Sequence, residues 1–200
     1  MAASYSYKEN FMKVILLGGF LGSGKTTFLL KLAPYLAVKS RKDPAVVVLE
    51  NEISNTDVDT KLLESLNLTV RNLAAGCIFC TSAGALPDSV KKIKTDFDPD
   101  YLIIETTGMA FPDAIAQTIE SENRLPVTVA ILADASRWER LNRAMPEFVR
   151  GQLKRADMVF LNKTDKVAVE KIEQIRDDLS RLVSAPVYPV QANKTIIRTF

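Results

Sequence analysis

The chain has 200 residues, with 26 Lys and Arg against 24 Asp and Glu, a formal net charge of +2 and 47% apolar residues. That length supports one domain with a substantial core, and charges of both signs interspersed along the chain exclude the basic stripe of a nucleic-acid binder. No apolar run reaches the length of a membrane span and Met1 to Asn10 is polar, so neither nucleic acid nor a membrane is expected as a partner and the chain reads as cytoplasmic.

Val14 to Leu17 is an apolar run that ends in Gly18-Gly19-Phe20-Leu21-Gly22-Ser23-Gly24-Lys25-Thr26-Thr27, and Phe28 to Val38 is amphipathic. This reads as strand, loop, helix. From Gly19 the spacing is G-x-x-x-x-G-K-T, the phosphate-binding loop. Gly22 and Gly24 permit backbone conformations that turn consecutive N–H groups, Ser23 among them, onto phosphate oxygens. The helix starting near Lys25 adds its positive dipole end. The Lys25 ammonium is expected at the β and γ phosphates and the Thr26 hydroxyl on magnesium, with Thr27 beside them.

Ala45 to Glu50 has the continuous apolar character of a buried parallel strand and ends in a carboxylate. Residues 51–59 are polar and turn-rich, and Leu62, Leu63 and Leu66 follow at helical spacing. Leu68 to Leu73 reads as a strand running into Ala74-Ala75-Gly76-Cys77-Ile78-Phe79-Cys80, and Gly84 to Asp96 as a helix closed by Asp98-Pro99. Tyr101 to Glu105 is a third buried strand, followed by Thr106-Thr107-Gly108. Strands are expected over Val127 to Ala133, Met158 to Asn162 and Val187 to Val190, and helices over Arg137 to Ala144, Glu147 to Arg155 and Lys166 to Leu182. Alternating strands and helices predict an α/β fold, a doubly wound and mostly parallel sheet with active groups at the carboxyl ends of the strands.

Asn162-Lys163-Thr164-Asp165 directly follows an apolar strand. In that position N-K-x-D reads guanine: the Asp165 carboxylate accepts from the ring N–H and the exocyclic amine, and Lys163 lays its stem over the base. Gln191 and Ala192, just after the last strand, are candidates for the end of this pocket. Glu105 occupies the place of a carboxylate near magnesium, with Glu50 the second such strand-end carboxylate, and the Gly108 N–H is suited to sensing a γ-phosphate. Met109 follows that glycine and cannot orient water, so slow hydrolysis is expected, with the water held by Glu52, Asn55 or a partner protomer. The two cysteines, Cys77 and Cys80, sit in one C-x-x-C, and the chain has no histidine. With Glu52 or Glu50 they suit a soft metal, zinc, nickel or cobalt, yet a closed site wants about four ligands. A two-fold dimer would supply two pairs. A small apolar thiol pair and a reversible disulfide stand as alternatives.

These motifs, together with Glu50-Asn51-Glu52 and in their order and spacing, resemble the CobW-like GTPases, relatives of the nickel-insertion GTPases that serve hydrogenase and urease. The resemblance runs from about Lys13 to Gln191. It implies a P-loop G domain of the SIMIBI class that binds GTP or GDP with magnesium and hydrolyses GTP slowly. It further implies a role as metallochaperone or metal-cofactor assembly factor for a metalloprotein client, and GTP-dependent homodimerisation. In departure from the longer relatives, a single domain is expected over residues 1–200, without their C-terminal domain. Phe79 stands where the family's C-x-C-C has its middle cysteine, and Ser54-Asn55 where it has glycine and an acidic residue. Two further readings remain open: a GTP-dependent activator of a metalloprotein or corrinoid-protein client with no metal of its own, and a small-molecule kinase.

Overall fold

The computed structural model describes residues 11–40, 42–50, 69–72, 85–192 and 194. Seven strands form one sheet: β1 (Lys13–Gly18), β2 (Val46–Glu50), β3 (Thr69–Asn72), β4 (Tyr101–Glu105), β5 (Val127–Asp134), β6 (Met158–Asn162) and β7 (Val187–Pro189). Their order across the sheet is β3-β2-β4-β1-β5-β6-β7, and every neighbouring pair is parallel. The described helices are α1 (Lys25–Val38), α2 (Ala85–Phe97), α3 (Pro112–Asn123), α4 (Trp138–Ala144), α5 (Pro146–Leu153) and α6 (Val169–Leu182).

The continuous apolar runs follow from burial on both faces. On one face Val14, Leu16, Leu102, Ile104, Val129, Ile131, Val159 and Leu161 join a core with residues of α2, α3, α5 and α6. On the other, Ile15, Leu17, Val46, Val48, Ile103, Leu132 and Phe160 pack against Phe28, Leu29, Leu32, Ala33 and Leu36 of α1. Successive residues of one strand thus serve opposite cores, as the period of two requires. The chain leaves β1 toward β2 on one side, and later crosses β1 to place β5 on the other. The order therefore reverses at β1, and the crevice beyond its carboxyl end is where such folds bind ligands.

The elements depart from the sequence reading at one helix and at several element ends, among them the helix expected to Arg155, which ends at Leu153. Helix α3 was not foreseen, although Pro112 at its first turn, Asp113 beside it and buried Ile115, Ala116 and Ile119 are ordinary helix signals. The helix expected from Lys166 starts at Val169, because Thr164–Lys166 forms a 3₁₀ turn. The strand expected to Val190 ends at Pro189. The helical pattern at Leu62, Leu63 and Leu66 lies outside the described residues. Among those described, no helix is long and apolar enough to cross a membrane.

Candidate nucleotide-binding site

The loop between β1 and α1 takes its shape from glycines with left-handed backbone. Gly19, Gly22 and Gly24 have φ of +131°, +71° and +100°. At Gly24 a Cβ would stand 2.4 Å from Asn162 Nδ2, so glycine is required by both conformation and space. The buried Lys25 ammonium donates to the Gly19 carbonyl at 3.1 Å, folding over the loop it belongs to. Ser23 is fully buried, and its hydroxyl has no hydrogen-bond partner, an unmet donor inside the loop that suits an anionic occupant. Thr27 is exposed in the first turn of α1.

At the neighbouring strand end, the Thr26 hydroxyl donates to Glu105 Oε1 at 2.9 Å. Glu105 is itself buried. A hydroxyl and a carboxylate paired beside a phosphate loop form a hard oxygen donor set suited to magnesium. Glu50 and Glu105 are Cα partners in the register of β2 and β4, which places both carboxylate-bearing residues at one edge of the site. Gly108 packs on the loop: a Cβ there would meet the Leu21 backbone nitrogen at 2.5 Å. The buried Gln152 holds this turn by donating to the carbonyls of Gly108 at 3.1 Å and Ala110 at 3.3 Å. Met109 is exposed.

The N-K-x-D segment is joined directly to the phosphate loop. Asn162 Nδ2 donates to the Ser23 carbonyl at 2.8 Å, while its Oδ1 accepts from the Ala192 N–H at 2.9 Å. One buried amide thereby fixes the phosphate loop, the end of β6 and the segment after β7. Beside it lies a cavity of about 180 Å³ lined by Gly24, Thr27, Asn162, Lys163, Asp165, Lys166 and Ala192. Asp165 is exposed at this cavity on the 3₁₀ turn. Of the expected pocket-end pair, Ala192 lines the cavity. Gln191 is next to it in the chain.

Three residues that the sequence reading passed over complete the site. Asp134, at the carboxyl end of β5, accepts from Arg137 Nε at 2.7 Å, Lys163 Nζ at 2.8 Å and the Ser136 hydroxyl at 2.6 Å. Burial pushes its carboxyl up, but hydrogen bonds from Lys163, Ser136 and Arg137 outweigh that and hold it below its ordinary value. Arg137 also donates to the Leu21 carbonyl, and Lys163 to that of Gly22, each at 2.6 Å. Gln152 is the third. A carboxylate ending an apolar strand, the signal read at Glu50 and Glu105, was equally present at Asp134; Arg137 and Gln152 carry no signal of their own.

Cys77, Cys80 and Glu52 lie outside the described residues, as does Asn55. Among the described residues, no group of three or more His, Cys, Asp or Glu is arranged to hold a metal ion.

A phosphate loop at the switch of a doubly wound parallel sheet, joined to a base-sized cavity, defines a P-loop nucleotide-binding domain. The chain belongs to the CobW/HypB/UreG family, whose nucleotide-binding domain matches residues 13–188. It is 33% identical over 193 residues to the zinc chaperone YjiA of Escherichia coli, covering 90% of this chain and 58% of that protein. The crystal structure of Zn(II)-bound YjiA GTPase superposes with a TM-score of 0.62 at 26% identity, covering 94% of this chain and 59% of that one. A zinc-regulated GTPase metalloprotein activator of Dictyostelium discoideum is 27% identical over 206 residues, covering 82% of this chain and 42% of its own length. The hydrogenase maturation factor HypB of Archaeoglobus fulgidus shares the fold, with a TM-score of 0.66 over 92% of this chain and 83% of that one, at 16% identity. This chain thus spans about half the length of the curated relatives it matches.

Proposed function

We propose that this chain binds GTP with magnesium, hydrolyses it slowly, and couples nucleotide state to the handling of a soft metal as a metallochaperone or metal-cofactor assembly factor. The observation that carries the nucleotide half is the Asn162 bridge, which joins Ser23 of the phosphate loop to the wall of the cavity holding Asp165. Lys25 leaves the Gly19 carbonyl to meet the β and γ phosphates, and the unmet Ser23 donor faces an anion. Thr26 and Glu105, with Glu50 nearby in register, would hold magnesium, which when bound neutralises charge on the phosphates. Gly108 offers a backbone N–H to the γ-phosphate. Met109, next to it, has no group that orients water, which supports slow turnover; Glu52, Asn55 or a partner protomer is proposed to hold the water.

The metal half draws on the relatives, which include a zinc chaperone and a zinc-regulated activator. Cys77, Cys80 and Glu52 are the proposed ligands for zinc, or for nickel or cobalt, and a GTP-dependent homodimer in the cytoplasm would bring two such sets together. A GTP-dependent activator of a client protein, with no metal of its own, is favoured by one observation: Leu21 and Met109 are both 58% exposed, on either side of the contact between Gly108 and the loop. Such apolar exposure at a γ-phosphate-sensing turn suits a docking surface.

Guanine selectivity is tested at Asp165. In Asp165→Asn an amide N–H replaces one carboxylate acceptor, so it loses a hydrogen bond to guanine and gains one to the 2-oxo group of xanthine. Titration should show GDP binding weakened at least about a hundredfold and xanthosine diphosphate binding strengthened. Unchanged preference for GDP would contradict the guanine reading.

A further inference from the structure

Asp134 lies between two features that a nucleotide must use together. Its side chain is wholly buried, yet both of its basic partners, Arg137 and Lys163, are about a quarter exposed and point back to the phosphate loop. Arg137 reaches the carbonyl of Leu21 and Lys163 that of Gly22, consecutive residues at the loop's glycine bend. Across a trans peptide the C=O and the next N–H are antiparallel. Holding these two carbonyls therefore sets the direction of the Gly22 and Ser23 N–H groups. The packing is close, since a Cβ on Gly22 would stand 3.2 Å from Arg137 Nη2.

A second observation comes from the base side. Lys163 is a non-glycine residue with φ of +60°, a left-handed conformation that a structure maintains only where surrounding contacts enforce it. Its ammonium is anchored at two points, Asp134 Oδ2 and the Gly22 carbonyl. The same lysine lines the base cavity. Asp134 in turn is oriented by the Ser136 N–H at 3.0 Å and the Ser136 hydroxyl at 2.6 Å, both on Oδ1, which leaves Oδ2 to the two cations.

We propose that Asp134 is a positioning residue for nucleotide binding: through Lys163 and Arg137 it sets the base-stacking lysine and the phosphate loop as one unit. It touches no nucleotide itself. The inference rests on the GTP-binding reading above and adds to it a carboxylate that couples the base and phosphate halves of the site. Loss of Asp134 should therefore weaken GDP and GTP alike, and its effect should overlap with loss of Lys163, through which it acts.

The test is dissociation and equilibrium binding of a fluorescent GDP to the full chain, in wild type, Asp134→Asn, Arg137→Ala, Lys163→Ala and the Asp134→Asn/Lys163→Ala double variant. Binding stoichiometry reports the folded, competent fraction separately from affinity. The expected results are GDP held about tenfold more weakly by Asp134→Asn and severalfold more weakly by Arg137→Ala, with a double variant far short of the product of its two single losses. A merely structural role would lower the competent fraction, leave affinity intact and give a full product in the double variant. Either wild-type affinity in Asp134→Asn or that full product overturns the proposal. If Asp134→Asn does not fold, Arg137→Ala carries the test, and wild-type affinity there overturns it. A wild-type chain that binds no guanine nucleotide overturns the GTP-binding reading instead.

Discussion

Asp134 illustrates what one side chain contributes at the residue scale. Its folded carboxyl is held below the ordinary 3.8, so the stability it provides is fully present above that pH and is lost as pH falls through the lower folded value. Replacing it with Asn removes charge-assisted hydrogen bonds and leaves Lys163 and Arg137 without their anion, a loss of about 1–3 kcal/mol at neutral pH. Thermal unfolding from pH 7 to pH 3 should show a constant gap between wild type and Asp134→Asn down to about pH 4, closing below it. A gap that persists undiminished at pH 3 would contradict the charge-based account. At this scale the sequence was partly legible. Gly24, Lys25, Thr26, Asn162 and Glu105 meet because motif spacing encodes them, whereas Arg137 and Gln152 act on loop carbonyls that only the folded topology brings near.

At the scale of elements, α1 matters most, because the residues that start it also hold the phosphate loop. Phe28, directly after Thr27, is fully buried, and its ring lies 4.6 Å from that of Phe160 on β6. Phe160 stacks in turn on Tyr188 at 5.7 Å. This aromatic line seats the helix over the strand that carries Asn162. Phe28→Ala should cost about 3–5 kcal/mol of stability, read by urea unfolding, and weaken nucleotide binding through a loosened helix start. A loss below about 1 kcal/mol would show that α1 is seated by other contacts. The strands were legible because burial on both faces makes them continuous apolar runs. Helix α3 carried the same kind of signal in Ile115, Ala116 and Ile119, but it begins at a proline soon after the Gly108 turn, where the polar motif drew the reading. The start of α6 was misplaced because Lys166 suits a helix by propensity, but the left-handed Lys163 turns the chain into a 3₁₀ segment that takes up Thr164–Lys166 first.

For the molecule as a whole, the reversal of strand order at β1 gathers the carboxyl ends of β2, β4, β1, β5 and β6 around one crevice. Glu105, the phosphate loop, Asp134 and Asn162 each end one of those strands, so the fold and the site are the same fact read at two scales. The sheet and its switch point could be expected from alternating strand and helix patterns; the order of strands across the sheet could not, because parallel pairing is set by crossovers rather than by local sequence. The Cys77 and Cys80 motif lies outside the described residues together with Glu52 and Asn55, and it bears directly on the metal half of the proposed function.

The central claim is that guanine nucleotide controls a soft metal site. The most direct measurement is the mass and zinc content of the purified chain, by light scattering and elemental analysis, with GDP and with a non-hydrolysable GTP analogue. The account predicts a dimer carrying about one zinc ion per two chains with the analogue, and loss of that zinc in a Cys77→Ser/Cys80→Ser variant that still binds nucleotide. A chain that binds nucleotide yet stays free of zinc, nickel and cobalt in both states would contradict it.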